Sequence, residues 1–201
     1  MPDHGRIFDD IYSQDVWQGG SGTGSREALT RDYRMFLQGL LQQARVKSVV
    51  DLGCGDWQFS RHMDWSGIDY TGVDVSAVVL ETLRPFERPG VRFLRANAVT
   101  DTLPPADLLI AKDVLQHWSN ADILAFLPQL QNFKGALITN SFPDRVAING
   151  ALETGARMRP VDLTWPPFNL KGWYVFDFVA GDRKRCFLWR RNPPSSQPPR
   201  P

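Results

Sequence analysis

The stretch that most constrains the fold of this chain covers residues 49–55 and reads Val-Val-Asp-Leu-Gly-Cys-Gly. Apolar residues lead up to Asp51 as in a buried strand, and two glycines follow at Gly53 and Gly55. A strand that ends in Gly-x-Gly and continues into a helix makes a tight turn whose backbone can approach a ligand closely. Residues 56–63 are predicted to form that helix. The pattern predicts a nucleotide-type binding site in an open α/β sheet.

The kind of ligand depends on the third glycine position and on two carboxylates. The dinucleotide pattern G-x-G-x-x-G serves a pyrophosphate, but its last position here is Gln58. Asp51 would repel a pyrophosphate and suits a cationic or amine-bearing ligand. Asp74 ends the next predicted strand about 20 residues after the glycine turn, where a carboxylate can bind both ribose hydroxyls. An ordinary strand-turn-helix with a capping Asp74 is the alternative, but the two patterns in register favour an adenosine-containing ligand.

Strand and helix patterns alternate through the rest of the chain. Apolar residues at three- and four-residue steps predict helices at 26–44, at 77–86 and from Asn120 onward. Predicted strands lie at 46–52, 70–75, 91–95, 107–112, 136–139, 173–179 and 185–190. Strands separated by helices form parallel βαβ units, and the final two strands read as an antiparallel pair. The predicted fold is a three-layer α/β/α sandwich with a Rossmann-like, mostly parallel seven-stranded sheet whose last strand is antiparallel.

The sequence divides into three parts. Residues 1–45 hold a lead-in, a Gly/Ser-rich loop at 19–25 and a helix, and we expect them to cover the ligand site, although a flexible linker is the alternative reading of the loop. Residues 46–192 form the core. Residues 193–201 are a proline-rich tail that is predicted to be disordered.

Composition narrows the function classes. Over 201 residues, 23 basic and 22 acidic side chains give a formal net charge of +1, which favours no nucleic-acid partner. Cys54 and Cys186 lack zinc-type spacing, so we expect reduced thiols and no metal site. The sequence has no apolar run of the about 20 residues that a membrane helix needs, and it has no signal-peptide core. We therefore expect a cytoplasmic protein without membrane contact. A monomer or a homodimer is expected.

Three sequence motifs carry a resemblance to a known family. Asp51-Leu-Gly-Cys-Gly55, Gly72-Val-Asp74 and the segment 107–113, with the closing strand pair, resemble the class I S-adenosyl-L-methionine (SAM)-dependent methyltransferases over roughly residues 8–190. A subgroup of small methyltransferases is also similar at Ser21–Ser25, Lys112–His117, Asn149, Gly155, Arg159–Leu163 and Pro167-Phe168. The resemblance implies that the glycine loop faces the amino-acid end of SAM, that Asp51 supports its ammonium group and that S-adenosyl-L-homocysteine (SAH) is the product.

The resemblance also implies a set of cofactor-binding residues. Asn97 follows the third strand, where the family often has a carboxylate that accepts the adenine amino group, and its amide oxygen can accept the same bond. A turn residue is the alternative role for Asn97. The predicted cofactor-binding residues are Asp51, Gly53, Cys54, Gly55, Asp74, Val75, Asn97, Ala98 and Lys112.

The candidate chemistry follows the fourth predicted strand. His117 is the best general base in the chain because imidazole titrates near neutrality, and Asp113 is expected to orient it. A purely structural Asp113–His117 pair is the alternative. Trp17, Trp118, Asn140 and Arg159 are the predicted substrate-binding residues. We expect methyl transfer from SAM to an O or N atom of a small molecule; the alternatives are an NAD(P)-dependent oxidoreductase and a non-catalytic protein that keeps the SAM-binding fold.

Overall fold

The computed structural model describes residues 3–142 and 148–191. Its strands are β1 (Ser48–Leu52), β2 (Asp69–Asp74), β3 (Val91–Arg95), β4 (Ala106–Lys112), β5 (Phe133–Ser141), β6 (Trp173–Ala180) and β7 (Asp182–Arg190). The α-helices are α1 (His4–Ser13), α2 (Arg31–Gln43), α3 (Ala77–Glu81) and α4 (Asn120–Phe126). The predicted tail at 193–201 lies outside the described residues.

The strands form one sheet in the order β3-β2-β1-β4-β5-β7-β6. The pairings from β3 to β5 are parallel, and β7 runs antiparallel to both β5 and β6. The predicted fold class is therefore confirmed. In such a sheet the carboxyl ends of the parallel strands meet at one edge, which is where ligands bind in doubly wound folds.

Each face of the sheet has its own apolar core. On one face, α1, α4 and the segment 156–170 cover alternate strand residues, among them Val50, Leu52, Leu109, Ala111 and Ile138. On the other face, α2 and the segment 53–65 cover Val49, Tyr70, Leu108, Ile110 and Leu137. Successive side chains of a strand point to opposite faces, so Asp51 belongs to the second face and Leu52 to the first.

The prediction of a helix directly after β1 is wrong. Residues 53–59 form turns, and only a single 3₁₀ turn, Ser60–His62, follows. Trp57 explains the difference because its φ is 61°, which an α-helix does not tolerate. Its side chain is buried, its ring lies 5.2 Å from that of Phe93, and its indole N–H donates to the Tyr70 hydroxyl at 2.9 Å. Tertiary burial of one indole thus overrides local helix propensity.

Other element boundaries also differ from the predictions. The helix at 26–44 begins with a 3₁₀ turn, and α2 starts only at Arg31. The helix at 77–86 is divided into α3 and a 3₁₀ turn at 84–86. Ser119 rather than Asn120 is the N-cap of α4, because its hydroxyl accepts the N–H of Asp122. The turn between β6 and β7 is confined to Gly181, whose φ is 81°, so β7 starts earlier than predicted.

None of the helices within the described residues has the length and apolar character needed to cross a membrane.

Two glycine substitutions test the close packing of the second face. A Cβ at Gly72 in β2 would lie 2.6 Å from a ring carbon of Phe93 and 3.0 Å from Cys54 Sγ. We expect Gly72→Ala to lower the free energy of unfolding by about 1–3 kcal/mol through overpacking. Gly39→Ala is the matched control, since no atom lies within 4 Å of its added Cβ inside α2. It should raise the free energy of unfolding by about 0.5–1 kcal/mol. Urea denaturation measures both, and equal effects would contradict this account.

Candidate active site

A cavity of about 550 Å³ runs along the carboxyl edge of the parallel strands. Its wall takes residues from successive strand ends in sheet order: Asn97 after β3, Asp74 at β2, Gly53 after β1 and Asp113 after β4. Lys184 of β7 closes the far end. Neighbouring strands lie about 4.8 Å apart, so the wall from β3 to β4 extends over about 14 Å. The cavity is long enough for an extended ligand that lies across several strands.

Asp74 is a buried carboxylate with room for further donors. Its Oδ2 accepts the N–H of Gly55 at 3.0 Å and its Oδ1 accepts the N–H of Ser76 at 2.9 Å. Burial raises the pKa of Asp74 to about 6, and these backbone bonds act against the rise. Each carboxylate oxygen accepts up to two hydrogen bonds, so Asp74 can still bind the two hydroxyls of a ribose.

The glycine loop leaves space where any side chain would intrude. Gly53 has a φ of 65°, and a Cβ there would lie 2.5 Å from a methyl group of Val114. Gly55 has a φ of 53°, and a Cβ there would lie 2.0 Å from the hydroxyl oxygen of Ser21. Only glycine permits both this backbone conformation and this close approach.

Asp51 lies behind the residues that line the cavity. Its Oδ2 accepts hydrogen bonds from Tyr70 at 2.6 Å and from Ser60 at 2.7 Å. Only 1% of Asp51 is exposed, and burial raises its pKa to about 6. Cys54 is also buried away from the cavity, and burial raises the pKa of its thiol. Both residues shape the glycine loop from behind.

At its β3 end, the cavity is lined by the turn that contains Asn97 and by residues of α1. The Asn97 amide oxygen accepts the N–H of Val99 at 3.0 Å and faces His4 Nδ1 at 3.4 Å, so its side chain holds the loop as a turn residue does. Val75 and Ala98 line the cavity as predicted. The sequence reasoning missed three wall residues of α1, His4, Phe8 and Tyr12. The apolar residues around Phe8 indicated that this segment packs against another part of the chain, but the sequence did not show which part.

Residues 4–25, which we call the roof, extend over the glycine loop. The Ser21 hydroxyl accepts the N–H of Asp56 at 3.0 Å and lies 3.1 Å from the Tyr12 hydroxyl. The Gln58 amide donates to the Gly19 carbonyl at 2.8 Å. Trp17 lines the cavity and its indole N–H donates to the Ala156 carbonyl at 3.2 Å. The Gly/Ser-rich stretch is therefore an ordered cover rather than a free linker.

Asp113 lies between two lysines at the β4 end of the cavity. Its Oδ2 is 2.5 Å from Lys112 Nζ and its Oδ1 is 2.9 Å from Lys184 Nζ. The two ammonium groups outweigh the burial penalty and hold the pKa of Asp113 at about 2. The bonds of Asp113 go to these lysines rather than to His117, so the predicted orienting pair is wrong.

His117 lies in the cavity wall as a neutral imidazole. Its Nδ1 is 3.0 Å from the Arg157 carbonyl oxygen, so Nδ1 carries the proton and donates it. Nε2 then holds the lone pair and accepts a hydrogen bond from the Gln116 amide nitrogen at 3.4 Å. The ring also lies 5.0 Å from that of Trp17. Burial lowers the pKa of His117 below its ordinary value, which keeps Nε2 unprotonated at neutral pH.

The predicted substrate residues divide into two groups. Trp17 and Trp118 line the cavity. Asn140 and Arg159 are not among the residues that line the cavity, and their side chains bind loops. The Asn140 amide oxygen accepts the N–H of Gln116 at 3.2 Å. Arg159 donates to the Gly150 carbonyl at 2.6 Å and also to the Asn120 side chain.

Comparisons with known proteins agree with this geometry. Residues 49–133 match the family model described as a methyltransferase domain. Human N-acetylserotonin methyltransferase in complex with SAM is a similar structure, with a TM-score of 0.60 and 19% identity; the match covers 94% of this chain and 60% of that chain. Magnesium protoporphyrin IX methyltransferase from Synechocystis with bound SAH has a TM-score of 0.65 and 14% identity, covering 95% of this chain and 100% of that chain.

A bacterial CtHen1 methyltransferase domain is also similar, with a TM-score of 0.61 and 16% identity over 81% of this chain and 99% of that chain. This chain thus spans 60% of the length of the human enzyme and nearly the whole of the two bacterial ones. No curated protein sequence matches it. Residues 49–133 thus match a methyltransferase domain, and the fold of the chain is that of SAM-dependent methyltransferases. SAM is bound in the human structure, and SAH is bound in the Synechocystis structure.

The residues that line the cavity are chemically suited to bind SAM. Asp74 offers free lone pairs at the end of the second strand, as a ribose requires. Gly53 presents backbone without a side chain to the cavity. Phe8, Val75 and Trp118 supply apolar surface of the kind that covers an adenine ring.

The pH dependence of SAH binding tests the role of Asp74. Its pKa of about 6 means that the carboxylate becomes protonated as the pH falls from 7 to 5, and its hydrogen bonds then lose the added strength of the charge. We expect the SAH affinity in titration calorimetry to fall by up to about 10-fold over this range. Asp74→Asn should bind SAH about 10- to 100-fold more weakly at pH 7.

In Asp74→Asn the affinity should stay constant from pH 5 to 7. SAH itself keeps its charges over this range, because α-amino groups titrate near 7.7–8.0 and α-carboxyl groups near 3.3–3.7. If the pH dependence persisted in Asp74→Asn, Asp51, whose pKa is also about 6, would be its source and the assignment would be wrong.

Proposed function

We propose that the chain transfers a methyl group from SAM to an oxygen or nitrogen atom of a small-molecule acceptor. The observation that carries this proposal is His117, a neutral imidazole in the wall of a roofed cavity. An acceptor has to fit between the roof and the sheet edge to reach that ring. A folded polymer would first have to displace Trp17 and Ser21 from their contacts with the core.

The proposed cofactor contacts follow the strand order. Asp74 binds the ribose, and Val75, Asn97 and Ala98 lie on the β3 side with the apolar wall for the adenine. Gly53 allows close approach of the backbone, and Lys112 lies at the amino-acid end. With the ribose fixed at β2 and the adenine toward β3, the reactive end of the cofactor points toward β4.

The chemistry of the acceptor follows from the protonation of His117. Bound SAM supplies an electrophilic methyl group on a sulfonium, so the protein mainly has to align the acceptor with it. An acceptor hydroxyl or ammonium must lose a proton, and Nε2 of His117 is unprotonated and able to take it. Asp113 is a poor base because its pKa is about 2. This contrast supports His117 rather than Asp113 as the proton acceptor.

Two further observations support a small-molecule acceptor. The formal net charge of +1 gives no basic excess of the kind that binds nucleic acids. Two of the similar structures, N-acetylserotonin methyltransferase and magnesium protoporphyrin IX methyltransferase, are named for small-molecule acceptors. At identities of 19% and 14% this likeness concerns the fold and leaves the acceptor of this chain open.

The test begins with methyl-labelled SAM and a panel of hydroxylated and amine-bearing small molecules. We expect label in at least one of them and none in added RNA or protein. Transfer of label to RNA or protein alone would contradict the proposal.

His117→Ala then tests the base. Loss of a general base is expected to lower turnover by about 10²–10⁴-fold while SAH affinity remains unchanged. For the wild type, kcat/KM should rise with pH with a midpoint below 6.5, because burial lowers the pKa of His117 and the imidazole must be unprotonated to act as a base. The matched control is His62→Ala, which removes a partly exposed imidazole beside Glu27 and should leave turnover unchanged. Near-normal turnover of His117→Ala would assign His117 a structural role.

A further inference from the structure

The amino-acid end of SAM carries an ammonium group, and the carboxylate predicted to face it is unavailable. Asp51 is 1% exposed and its Oδ2 already accepts bonds from Tyr70 and Ser60. The neighbouring strand offers a replacement. Leu52 of β1 pairs with Ala111 of β4, so Asp113 follows β4 one strand away at the level of the glycine loop.

Asp113 is shaped to present its carboxylate to the cavity. Its φ of 59° lies in the left-handed region, and its N–H donates to the Thr139 carbonyl at 2.8 Å. This conformation turns the chain at the end of β4 and brings the side chain into the cavity wall, where 13% of it is exposed. Each carboxylate oxygen accepts one lysine and has a further lone pair.

The two lysines serve this carboxylate rather than the cavity. Lys184 Nζ has three donors, which go to Asp113 at 2.9 Å, Ser141 at 2.6 Å and Asp182 at 2.8 Å. Lys112 Nζ donates to Asp113 and to the Gly24 carbonyl at 2.7 Å, with only 1% of its side chain exposed. Both ammonium groups keep Asp113 ionised and fixed.

We propose that Asp113 is the residue that binds the α-ammonium group of SAM, with Lys112 and Lys184 as positioning residues. This inference rests on the proposed function through the orientation of the cofactor, with its ribose at Asp74. Asp113 lies two strands from Asp74, a separation of about 10 Å across the sheet. The roof closes over the same point, because a Cβ at Gly24 would lie 2.8 Å from Asp113 Oδ2.

The charge of the cluster suits a zwitterion. Two lysines face Asp113 and Asp182, so the cluster has no net charge. A purely anionic ligand group would be repelled by the Asp113 carboxylate, and a purely cationic one would leave the cluster with a net positive charge. An amino-acid group carries both charges and disturbs the balance least.

The test compares two ligands that differ only at the amino-acid end. SAH carries the amino acid, and 5′-methylthioadenosine has the same nucleoside without it. In titration calorimetry we expect Asp113→Asn to weaken SAH binding by about 10- to 100-fold, the effect of losing a hydrogen bond between charged groups. The affinity for methylthioadenosine should stay within about twofold of the wild type.

Asp51→Asn is the matched control, since it removes the carboxylate that the family pattern indicates. Because Asp51 ties the glycine loop from behind, Asp51→Asn is expected to weaken both ligands, and the ratio of the SAH and methylthioadenosine affinities should change less than in Asp113→Asn. A change of that ratio in Asp51→Asn but not in Asp113→Asn would overturn the proposal. An equal loss of affinity for both ligands in Asp113→Asn would show that the cluster only supports the fold. An unchanged SAH affinity together with a higher KM for the acceptor would show that Asp113 belongs to the acceptor site.

Should Asp113→Asn fail to fold, Asp113→Glu keeps the charge that both lysines need and moves the carboxylate by one methylene. It should weaken SAH selectively in the same assay, and an unchanged SAH affinity would overturn the proposal. Wild-type binding of methylthioadenosine reports on the nucleoside site independently. If the wild type bound neither ligand, the proposed function itself would fail.

Discussion

The architecture of the site depends on one buried carboxylate whose hydrogen bonds go to other parts of the chain. Asp51 accepts the hydroxyls of Tyr70 from β2 and Ser60 from the following segment, and Tyr70 in turn accepts the indole N–H of Trp57. A hydrogen bond to a charged group contributes about 1.5–3 kcal/mol, and an unpaired buried charge costs more. The chain after β1 therefore follows the donors that Asp51 needs and forms turns where the local pattern favours a helix. The glycine loop keeps its open shape because its rear side is tied in this way.

Three aspartates at adjacent strand ends show how environment divides one residue type among different tasks. Burial raises the pKa of Asp51 and Asp74 to about 6, yet Asp51 is enclosed by hydroxyls and Asp74 faces the cavity. Asp113 is equally enclosed, but two ammonium groups hold its pKa at about 2. His117, only four residues further on, is kept neutral by burial, which outweighs the opposing effect of its bond to the Arg157 carbonyl group on the pKa. The site thus pairs a permanent charge with a neutral base.

The parts that sequence reasoning predicted are those set by local pattern. Alternating strands and helices predicted the sheet, and the Gly-x-Gly turn with a second carboxylate predicted the positions of Gly53 and Asp74 in the wall. The failures all involve distant contacts. The positive φ of Trp57 depends on burial against Phe93, and His4 meets Asn97 across 93 positions of sequence. Asn140 and Arg159 have the polar character of ligand residues, but only the fold shows that loop carbonyls and amides already use their side chains.

The roof has a kinetic consequence. One continuous segment supplies wall residues such as Phe8 and Trp17 and also covers the glycine loop through Ser21. Lifting of this segment would break the bonds of Ser21 and of Gln58 with Gly19. The glycines at 19, 20 and 22 all have positive φ and form the stretch on which such a movement would turn. For a ligand that leaves only after such an opening, the lifetime of the closed state would set an upper limit on the rate of its release.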